Sequence, residues 1–344
     1  MSTFIIAEAG VNHNGHDNLA YDLVDAAVKA GADAIKFQTF SADKIVGKSA
    51  PKAEYQKSAT GEGSQYDMLK KLEMSPELHK GLMARCAESG IEFMSTPFDA
   101  EAAAFLVEHG MQHIKIPSGE ITNHVFLRQL AGFGRPMIMS TGMADLTEVE
   151  EAVAVLRKHW AGSAAFEESL VILHCTSNYP AAPSDVNLRA MTTIGNATGM
   201  PIGYSDHTLG IAVSPASVAL GAVVIEKHFT LDRTMEGPDH GASLEPDELA
   251  QMIAQIRVVE QAMGKAEKAP TASEQEMRGL ARRSIAPVAD LPAGHVLCEA
   301  DLVLLRPGTG IEPKHFDALI GRRLATAVSP SAPLDWINIE GGQG

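Results

Sequence analysis

The chain has 344 residues, of which 45% are hydrophobic and 21% are charged, and its formal net charge is −15 at pH 7. This length allows one large domain and a smaller one, and the composition excludes a largely disordered chain. The negative charge argues against nucleic acids and anionic membranes as partners, because the field of the protein would repel phosphate groups before contact.

The first apolar run covers residues 4–7 and ends at Glu8, so it is too short for a signal peptide or a membrane span. We therefore expect a cytoplasmic protein. The three cysteines, Cys86, Cys175 and Cys298, are widely spaced and form no CxxC pair. This spacing predicts reduced, mostly buried thiols rather than a disulfide framework.

Eight short apolar runs recur along the first three quarters of the chain, each followed by a turn and a longer segment with helical spacing. This alternation predicts parallel α/β structure, and eight strands are what a closed (β/α)8 barrel requires. The runs are FIIAEAG from Phe4, DAIKFQT from Asp33, IEFMSTP from Ile91, HIKIPSG from His113, PMIMSTG from Pro136, LVILHCTS from Leu170, PIGYSDH from Pro201 and AVVIEKHF from Ala222.

Two of the intervening segments carry clear helix start signals. Asp145 precedes one segment and Glu148 follows three positions later, as in a capping box. Ser75 precedes Pro76, which combines a hydroxyl cap with a proline in the first turn. The longest connection, residues 41–75, is polar and contains GEGSQ, which is typical of a lid or of part of a site.

The pattern changes after Gly264. Residues 266–281 are polar and predict a linker with some helical character. The pieces SIAPVA, GHVL, LVLLRP and LATAVS follow, separated by Pro and Gly turns, and predict a small β-rich domain. We therefore expect a barrel domain over residues 1–265, a linker over 266–281 and a small domain over 282–344.

Polar side chains stand at the carboxyl ends of nearly all the predicted strands, where the active site of a (β/α)8 barrel lies. We therefore predict one shared concave site. Lys36 and Lys115 interrupt apolar strands, and they need anionic partners because a buried unpaired ammonium is costly. Those partners are either phosphate and carboxylate groups of a ligand or carboxylates across the barrel. The candidate carboxylates are Glu8, Glu120 and Glu226.

Small residues at the same strand ends suit the binding of an oxyanion. Ser118, Ser140 and Ser205 provide hydroxyl donors, while Gly119 and Gly142 allow the backbone to come close to a ligand. These residues favour a phosphate or carboxylate ligand for the two lysines.

His207 and His228 end neighbouring predicted strands, which lie about 4.8 Å apart in a sheet. Their imidazoles could share a divalent metal or form a hydrogen-bonded pair without metal. With two protein ligands, water or substrate would complete the shell, which favours an exchangeable metal such as Mn2+ or Mg2+ over structural zinc. His13 and His174 remain alternative ligands.

Three further residues have two interpretations each. Glu120 is the leading acid/base candidate, and its alternative is a salt bridge to a strand lysine. Asp239 lies in the loop EGPDHGAS, where it could accept hydrogen bonds from sugar hydroxyls or act as a turn residue. Cys175 has polar neighbours, but we favour a buried bystander thiol over a nucleophile.

Nine motifs occur in an order that resembles the sialic acid synthase family over nearly the whole chain. They are AEAGVNHNG (7–15), KFQTF (36–40), STPFD (95–99), KIPSGE (115–120), STGM (140–143), HCTSNYP (174–180), SDHT (205–208), EKHFT (226–230) and GPDH (237–240). The tail, with RRS at 282–284 and RPGTG at 306–310, is similar to the family's small SAF domain, which is related to type III antifreeze proteins.

The resemblance implies a (β/α)8 TIM barrel followed by a small antifreeze-like domain of the β-clip type. It implies a domain-swapped homodimer in which each tail domain covers the partner's barrel mouth. Glu120 would be the acid/base, and His207 and His228 would hold the metal, with Mn2+ favoured and Mg2+ and Co2+ as alternatives. The residues that would line the phosphoenolpyruvate site are Lys36, Thr96, Lys115, Ser118, Ser140, Ser177 and Ser205. Those that would contact the amino sugar are Asn14, Gln38, Tyr179, Asp239 and Arg306.

Two sugar contacts have special features in this comparison. Arg306 would reach the N-acetyl group of the sugar from the partner subunit. Asn14 stands where some relatives have a glutamate that faces the sugar, so this contact is expected to differ here.

The implied reaction joins phosphoenolpyruvate to an N-acetylated amino sugar, N-acetylmannosamine in first place, and gives a nine-carbon sialic acid and phosphate. Synthases of N,N'-diacetyllegionaminate share almost all the motifs, so 2,4-diacetamido-2,4,6-trideoxymannose is the alternative acceptor. A non-catalytic carbohydrate-binding or interaction protein is the alternative from another class. Such a protein has no evident need for lysines, serines and histidines at almost every strand end.

Overall fold

The computed structural model describes residues 2–52, 56–57 and 60–342. By its internal contacts the chain divides into two compact units, Met1–Gly264 and Lys265–Gly344.

The first unit is built around eight parallel strands that form one sheet in the order β3-β2-β1-β8-β7-β6-β5-β4. The two end strands of this order, β3 and β4, pack against each other, so the sheet curls into a nearly closed barrel. The predicted (β/α)8 fold is confirmed. The strands are β1 (Phe4–Gly10), β2 (Ala34–Thr39), β3 (Glu92–Pro97), β4 (Ile114–Ile116), β5 (Met137–Ser140), β6 (Leu170–Cys175), β7 (Ile202–Asp206) and β8 (Val224–His228).

Helices connect the strands and cover the outer face of the barrel. Apolar residues on the outer side of the strands and on the inner side of the helices form the main core. The helices of this unit whose two ends are described are α1 (Asp17–Ala30), α2 (Ala42–Ile45), α3 (Gln65–Lys70), α4 (Pro76–Ser89), α5 (Ala100–Glu108), α6 (His124–Ala131), α7 (Leu146–His159), α8 (Phe166–Ser169), α9 (Ala190–Thr198), α10 (Val213–Ala219) and α11 (Pro246–Met263).

The inside of the barrel has an apolar floor and a polar mouth. Successive side chains of a strand point to opposite faces, so residues two apart share the barrel interior. On β8, Val224 belongs to the inner apolar cluster, whereas Glu226 and His228 line a cavity above it. The other buried members of the inner cluster are Ile6, Ala34, Met94, Ile138 and Leu173. The strands therefore change from apolar to polar toward their carboxyl ends.

The predicted helix starts are present. Asp145 caps α7 in a reciprocal capping box with Glu148, and the Ser75 side chain accepts a hydrogen bond from the Leu78 backbone N–H. The long connection of residues 41–75 contains α2 and α3, so it is more regular than a plain loop. Its residues 53–55 and 58–59 lie outside the described part.

The second unit contains the helix α12 (Ala272–Ala281), a two-stranded antiparallel sheet of β9 (Ser284–Pro287) and β10 (Leu302–Leu305), and the short helix α13 (Phe316–Leu319). Its own apolar core includes Ile285, Leu302 and Leu324. A small β-rich fold is therefore present in this unit.

Two of the four predicted strand pieces in this unit are shorter than expected. GHVL and LATAVS make only single antiparallel bridges, such as the one between Val296 and Arg323. Glycine and proline residues bound these pieces: Gly294, with a positive φ of 81°, begins the first, and Pro330 follows the second. The two strand-like pieces are therefore present as bridges rather than as extended strands.

In the described part of the chain, each helix is too short or too polar to cross a lipid bilayer. All three cysteines are free thiols. Cys86 and Cys175 are buried and Cys298 is exposed.

Candidate active site

A cavity of about 320 Å³ opens at the carboxyl ends of the barrel strands. It brings together most of the residues that the sequence predicted for one shared site. Those residues are Lys36, Gln38, Thr96, Lys115, Ser118, Ser140, Ser177, Tyr179, Ser205, His207 and His228.

Two lysines and two glutamates form a buried charge network at the base of this cavity. Lys36 Nζ lies 2.6 Å from Glu8 Oε2 and 3.5 Å from Glu226 Oε2. Lys115 Nζ lies 3.7 Å from Glu226 Oε1. The lysines thus pair with carboxylates across the barrel, which was one of the two expectations, and they still line the cavity. Within the described residues the predicted third partner, Glu120, forms no ion pair with either lysine; its Oε2 accepts a hydrogen bond from Asn123 Nδ2.

Neighbouring hydroxyl groups hold the two ammonium groups in place. Lys36 Nζ donates to Thr96 Oγ1 at 2.9 Å, and Lys115 Nζ donates to Ser140 Oγ at 2.7 Å. Ser205 Oγ donates to Glu226 Oε1 at 2.9 Å. These contacts fix the positions of the charges before any ligand binds.

The network shifts the pKa values of its members in opposite directions. Burial disfavours the ionised form of Glu8 and raises its pKa to about 7, although Lys36 opposes the shift. Burial also disfavours ionised Glu226, but the charges of Lys115 and Lys36 outweigh it and lower the pKa to about 2. Burial of Lys36 is outweighed by Glu226 and Glu8, which raise its pKa, whereas burial lowers the pKa of Lys115.

Three side chains converge on the backbone at Gly142. A Cβ at this position would lie 2.1 Å from Ser177 Oγ and 3.0 Å from both Ser118 Oγ and Cys175 Sγ. Ser118 Oγ also accepts a hydrogen bond from the Gly142 N–H at 2.9 Å. Gly142 therefore lets these side chains pack closely against the backbone, and together with Lys115 they line one wall of the cavity, which we call the oxyanion cradle.

His207 and His228 lie beside this cradle, with their ring centroids 5.6 Å apart. The ring of Tyr179 packs against both, at 4.2 Å from His207 and 5.5 Å from His228. Burial lowers the pKa of His207 and lowers that of His228 well below its ordinary value. Both imidazoles are therefore neutral near pH 7.

The chemistry of these two imidazoles fits a divalent metal. His207 Nδ1 lies 2.6 Å from the Thr176 carbonyl and donates to it, so Nε2 carries the lone pair; Nε2 lies 3.3 Å from Ser205 Oγ, whose hydroxyl donates to Glu226. His228 Nδ1 is buried and has no hydrogen-bond partner among the described residues. No group of three or more His, Cys, Asp or Glu side chains within the described ranges could hold a metal, so two imidazoles would need water or substrate to complete a shell.

The two alternative histidine ligands do not line the cavity. His13 is fully buried, and its Nδ1 accepts a hydrogen bond from the Gly15 N–H at 3.1 Å. His174 Nε2 lies 2.6 Å from the Val186 carbonyl, to which it donates.

Four predicted site residues lie outside the cavity lining. Glu120 ends a single turn of 3-10 helix, Ser118–Glu120, which begins at the cradle serine. Asn14 lines a second cavity of about 520 Å³, donates to the Glu236 carbonyl at 2.8 Å and accepts from His240 Nε2 at 3.1 Å. Arg306 is exposed in the second unit, directly after β10.

Asp239, the fourth of these residues, lies close to the cavity. A Cβ at Gly10, which has a φ of 54°, would lie 3.6 Å from Asp239 Oδ2 and 3.5 Å from Gln38 Nε2, so both polar groups face the same stretch of backbone. Burial raises the pKa of Asp239 to about 6.

Glu8 and Glu226 belong to the cavity lining but were considered only as partners of the lysines. The signal was present in the sequence, because both are charged residues at inward positions of otherwise apolar strands, two places from Ile6 and Val224. Cys175 Sγ also lines the cavity, 3.2 Å from Ser118 Oγ, and burial raises its pKa, so it is a protonated thiol.

Residues 23–268 match the model of the NeuB family, and residues 282–340 match the model of the SAF domain. The chain is 50% identical to the N,N'-diacetyllegionaminic acid synthase of Legionella pneumophila, over 99% of this chain and 95% of that protein. It is 46% identical to the protein of the same name from Campylobacter jejuni, over 93% and 95%.

A solved structure titled N-acetylneuraminic acid (sialic acid) synthetase, from Leptospira borgpetersenii, is 36% identical in sequence. The match covers 80% of this chain and 90% of the Leptospira borgpetersenii chain, with a TM-score of 0.71. The suspected resemblance is thereby confirmed: the chain belongs to the NeuB family and carries a C-terminal SAF domain.

Proposed function

We propose that the protein is a synthase that condenses phosphoenolpyruvate with 2,4-diacetamido-2,4,6-trideoxymannose to give N,N'-diacetyllegionaminic acid and phosphate. One observation supports this class of reaction: the oxyanion cradle with its lysine and the two neutral imidazoles line the same barrel cavity. The acceptor is inferred from the two relatives that share 50% and 46% of their residues with this chain. This choice replaces N-acetylmannosamine, the acceptor favoured from the sequence, within the same reaction class.

Phosphoenolpyruvate would bind at the base of the cavity. Lys36 and Lys115 supply fixed positive charge for its phosphate and carboxylate, and Thr96 and Ser140 keep both ammonium groups in position. Ser118 and Ser177 line the cavity beside Lys115, where their hydroxyl groups can donate to a ligand oxygen. Ser205 completes this set at the end of β7.

The reaction forms a carbon–carbon bond and a bond between C2 and the oxygen of water, and it breaks the bond between C2 and the phosphate oxygen. The methylene carbon of phosphoenolpyruvate attacks the aldehyde carbon of the open-chain sugar, whose oxygen takes up a proton. Water then adds to the cationic C2 carbon, and phosphate leaves by C–O cleavage. We assign the proton transfers to Glu120, whose Oε2 is held by Asn123 Nδ2 at 2.7 Å.

His207 and His228 would hold the divalent metal, for which we propose Mn2+, with Mg2+ and Co2+ as alternatives. A bound metal supplies a Lewis acid that polarises the aldehyde of the acceptor. The Thr176 carbonyl fixes the tautomer of His207 that presents Nε2 to the cavity, and Tyr179 packs against both rings.

The sugar would lie above phosphoenolpyruvate, in contact with Gln38 and Tyr179 in the cavity and with Asn14 and Asp239 beside it. We further propose a cytoplasmic homodimer with exchanged tail domains, in which the partner's Arg306 contacts the N-acetyl group. The exposure of Arg306 next to β10 is consistent with this role.

N-acetylmannosamine is the second candidate acceptor, because the Leptospira borgpetersenii structure carries the name of a sialic acid synthetase at 36% identity. The two sugars differ at C4, where the legionaminic acid precursor has an acetamido group in place of a hydroxyl, and at C6, which is a methyl group in place of a hydroxymethyl group.

Release of phosphate from phosphoenolpyruvate, measured with Mn2+ and each sugar in turn, tests both parts of this proposal. We expect turnover with the diacetamido sugar and a much lower kcat/KM with N-acetylmannosamine. A preference for N-acetylmannosamine would reassign the acceptor, and no release with either sugar would contradict the reaction class.

A further inference from the structure

Two charged residues lie directly beside the proposed metal ligands, on the opposite face of the barrel wall. On β7 and β8 the residues that line the cavity are Ser205, Glu226 and His228, with His207 just after β7. Asp206 and Lys227 alternate with them and are paired with each other in the strand register. They therefore point outward, toward the helices.

Asp206 and Lys227 form an ion pair that is closed to water. Lys227 Nζ lies 3.1 Å from Asp206 Oδ2, and both side chains are 0% exposed. Lys227 Nζ also donates to the Thr208 carbonyl at 2.5 Å. Burial lowers the pKa of Lys227, while Asp206 opposes this shift.

Both carboxylate oxygens of Asp206 accept hydrogen bonds. Its Oδ1 accepts from the Thr208 N–H at 2.9 Å and from Thr208 Oγ1 at 2.7 Å, and its Oδ2 accepts from Ser214 Oγ at 2.7 Å. The network thus joins the end of β7, the turn after it, the start of α10 and the end of β8. Burial of such a network costs free energy unless each polar group has a partner. Both carboxylate oxygens of Asp206 and Lys227 Nζ have partners here.

Residues of this network are direct sequence neighbours of both histidines. His207 lies between Asp206 and Thr208, both of which the network holds, and His228 follows Lys227 directly. His228 Nδ1 has no hydrogen-bond partner among the described residues, so its ring is positioned by packing and by its backbone. The backbone of His228 is tied to the backbone of residue 208 through Lys227 Nζ.

We propose that Asp206 and Lys227 are positioning residues, whose buried pair sets the separation and direction of His207 and His228 for metal binding. This inference rests on the proposed function only in taking the two imidazoles as the metal ligands. The pair contacts neither substrate nor metal, and it acts from behind the barrel wall. Residues that orient metal ligands in this way affect metal affinity by about 10–100-fold.

Metal affinity can be measured apart from turnover. Titration of the full-length protein with Mn2+, followed by the electron paramagnetic resonance signal of free Mn2+, gives the dissociation constant. Binding of phosphoenolpyruvate without metal, measured by calorimetry, reports on the neighbouring oxyanion site. For Lys227→Met we expect the Mn2+ dissociation constant to rise at least about tenfold, while that of phosphoenolpyruvate changes by less than about threefold.

The double variant Asp206→Asn/Lys227→Met tests the proposal even if Lys227→Met alone does not fold. It removes both buried charges with little change in volume, so folding is retained, while the tie from β8 to Thr208 is lost. We expect its Mn2+ affinity to fall at least about tenfold as well. The matched control is Arg257→Met, which removes a cation that pairs with Asp33 near the other end of the strands, and it should leave Mn2+ affinity unchanged.

Two results would contradict the positioning role, and a third would contradict the metal site itself. Mn2+ affinity close to that of the wild type in the double variant would overturn the positioning role. So would an equal loss of Mn2+ and phosphoenolpyruvate affinity, which indicates general damage to the barrel. If the wild-type protein and its His228→Ala variant bind Mn2+ equally, it is the metal site of the proposed function that fails.

Discussion

Lys36 and Glu8 face each other in the register of β2 and β1, and their charged atoms lie 2.6 Å apart at the base of the barrel mouth. Lys36 also lies 3.5 Å from Glu226. One lysine thus compensates two buried carboxylates while it faces the cavity, so it has both a structural and a binding role.

Replacement of Lys36 should separate these two roles. Lys36→Met leaves Glu8 and Glu226 buried beside an apolar side chain, and we expect the free energy of unfolding to fall by about 3 kcal/mol. In Glu8→Gln/Lys36→Met most of this loss should be recovered, but phosphoenolpyruvate affinity should stay low. Urea unfolding and calorimetry measure the two quantities. Full recovery of phosphoenolpyruvate binding in the double variant would contradict a role for the Lys36 charge in binding.

A methyl group at Gly142 should block the oxyanion cradle. In Gly142→Ala the new Cβ would lie 2.1 Å from Ser177 Oγ, so the serine or the backbone must move. We expect the KM for phosphoenolpyruvate to rise at least about tenfold, the usual order for a displaced group in a preorganised site. Gly47→Ala is the matched control, because no atom lies within 4 Å of its added Cβ and Gly47 does not line the cavity. Similar KM values for the two variants would argue against the cradle.

The imidazole pair should be required for metal binding. We expect His207→Ala and His228→Ala each to lose Mn2+ binding and nearly all metal-dependent turnover, with an unchanged circular dichroism spectrum. His174→Ala is the control, since this ring bonds to the Val186 carbonyl and does not line the cavity. Turnover at the wild-type level in His207→Ala would remove the proposed ligand.

Asp239 should make stability depend on pH. Burial raises its pKa from 3.8 to about 6, so the unfolded chain ionises this group at lower pH than the folded chain does. Ionisation therefore costs the folded state stability as pH rises from about 4 to 6, and the full cost, at most about 3 kcal/mol, persists above pH 6. Because the side chain is only half-buried, we expect about 1–2 kcal/mol.

Asp239→Asn removes this cost. The variant should be more stable than the wild type at pH 8, and the difference should shrink toward pH 4.5 in urea unfolding experiments. The same variant should bind the acceptor sugar more weakly, if Asp239 accepts hydrogen bonds from its hydroxyls. A stability difference that is constant with pH would contradict the raised pKa.

Arg257 should stabilise the amino-terminal end of the barrel. Its guanidinium donates to the Thr3 carbonyl at 2.8 Å and to Asp33 Oδ2 at 3.0 Å, and Asp33 in turn accepts from the Ile5 N–H. Because the pair is partly exposed, we expect Arg257→Met to lower the free energy of unfolding by about 1–2 kcal/mol. Phosphate release should be unaffected at temperatures where the variant is folded.

Periodicity and strand counting were sufficient to predict the barrel, because each strand carries a strong apolar signal and the polar residues follow it. The cavity lining could be predicted for the same reason: inward positions near the strand ends hold Lys36, Lys115 and His228. The small β pieces of the tail could not be predicted in extent, since GHVL is too short for its pattern to separate a strand from a single bridge.

The sequence did not identify the ion pair on the outer face of β7 and β8. Lys227 lies between Glu226 and His228, so alternation along the strand could place it on the outer face, but alternation does not identify its partner there. The register of β7 and β8 identifies that partner as Asp206. In the same way Glu120 follows the cradle serine in sequence, yet its turn places it outside the cavity lining.

The alternation of inward and outward residues on β8 also limits how this chain can change over evolutionary time. Deletion of a single residue within Val224–His228 would exchange the two faces, sending the imidazole among the helices and the ammonium of Lys227 into the mouth. Such a slip damages the buried network and the site together. Length variation among descendants should therefore be confined to segments such as residues 41–75, whereas the barrel strands can vary only by substitution.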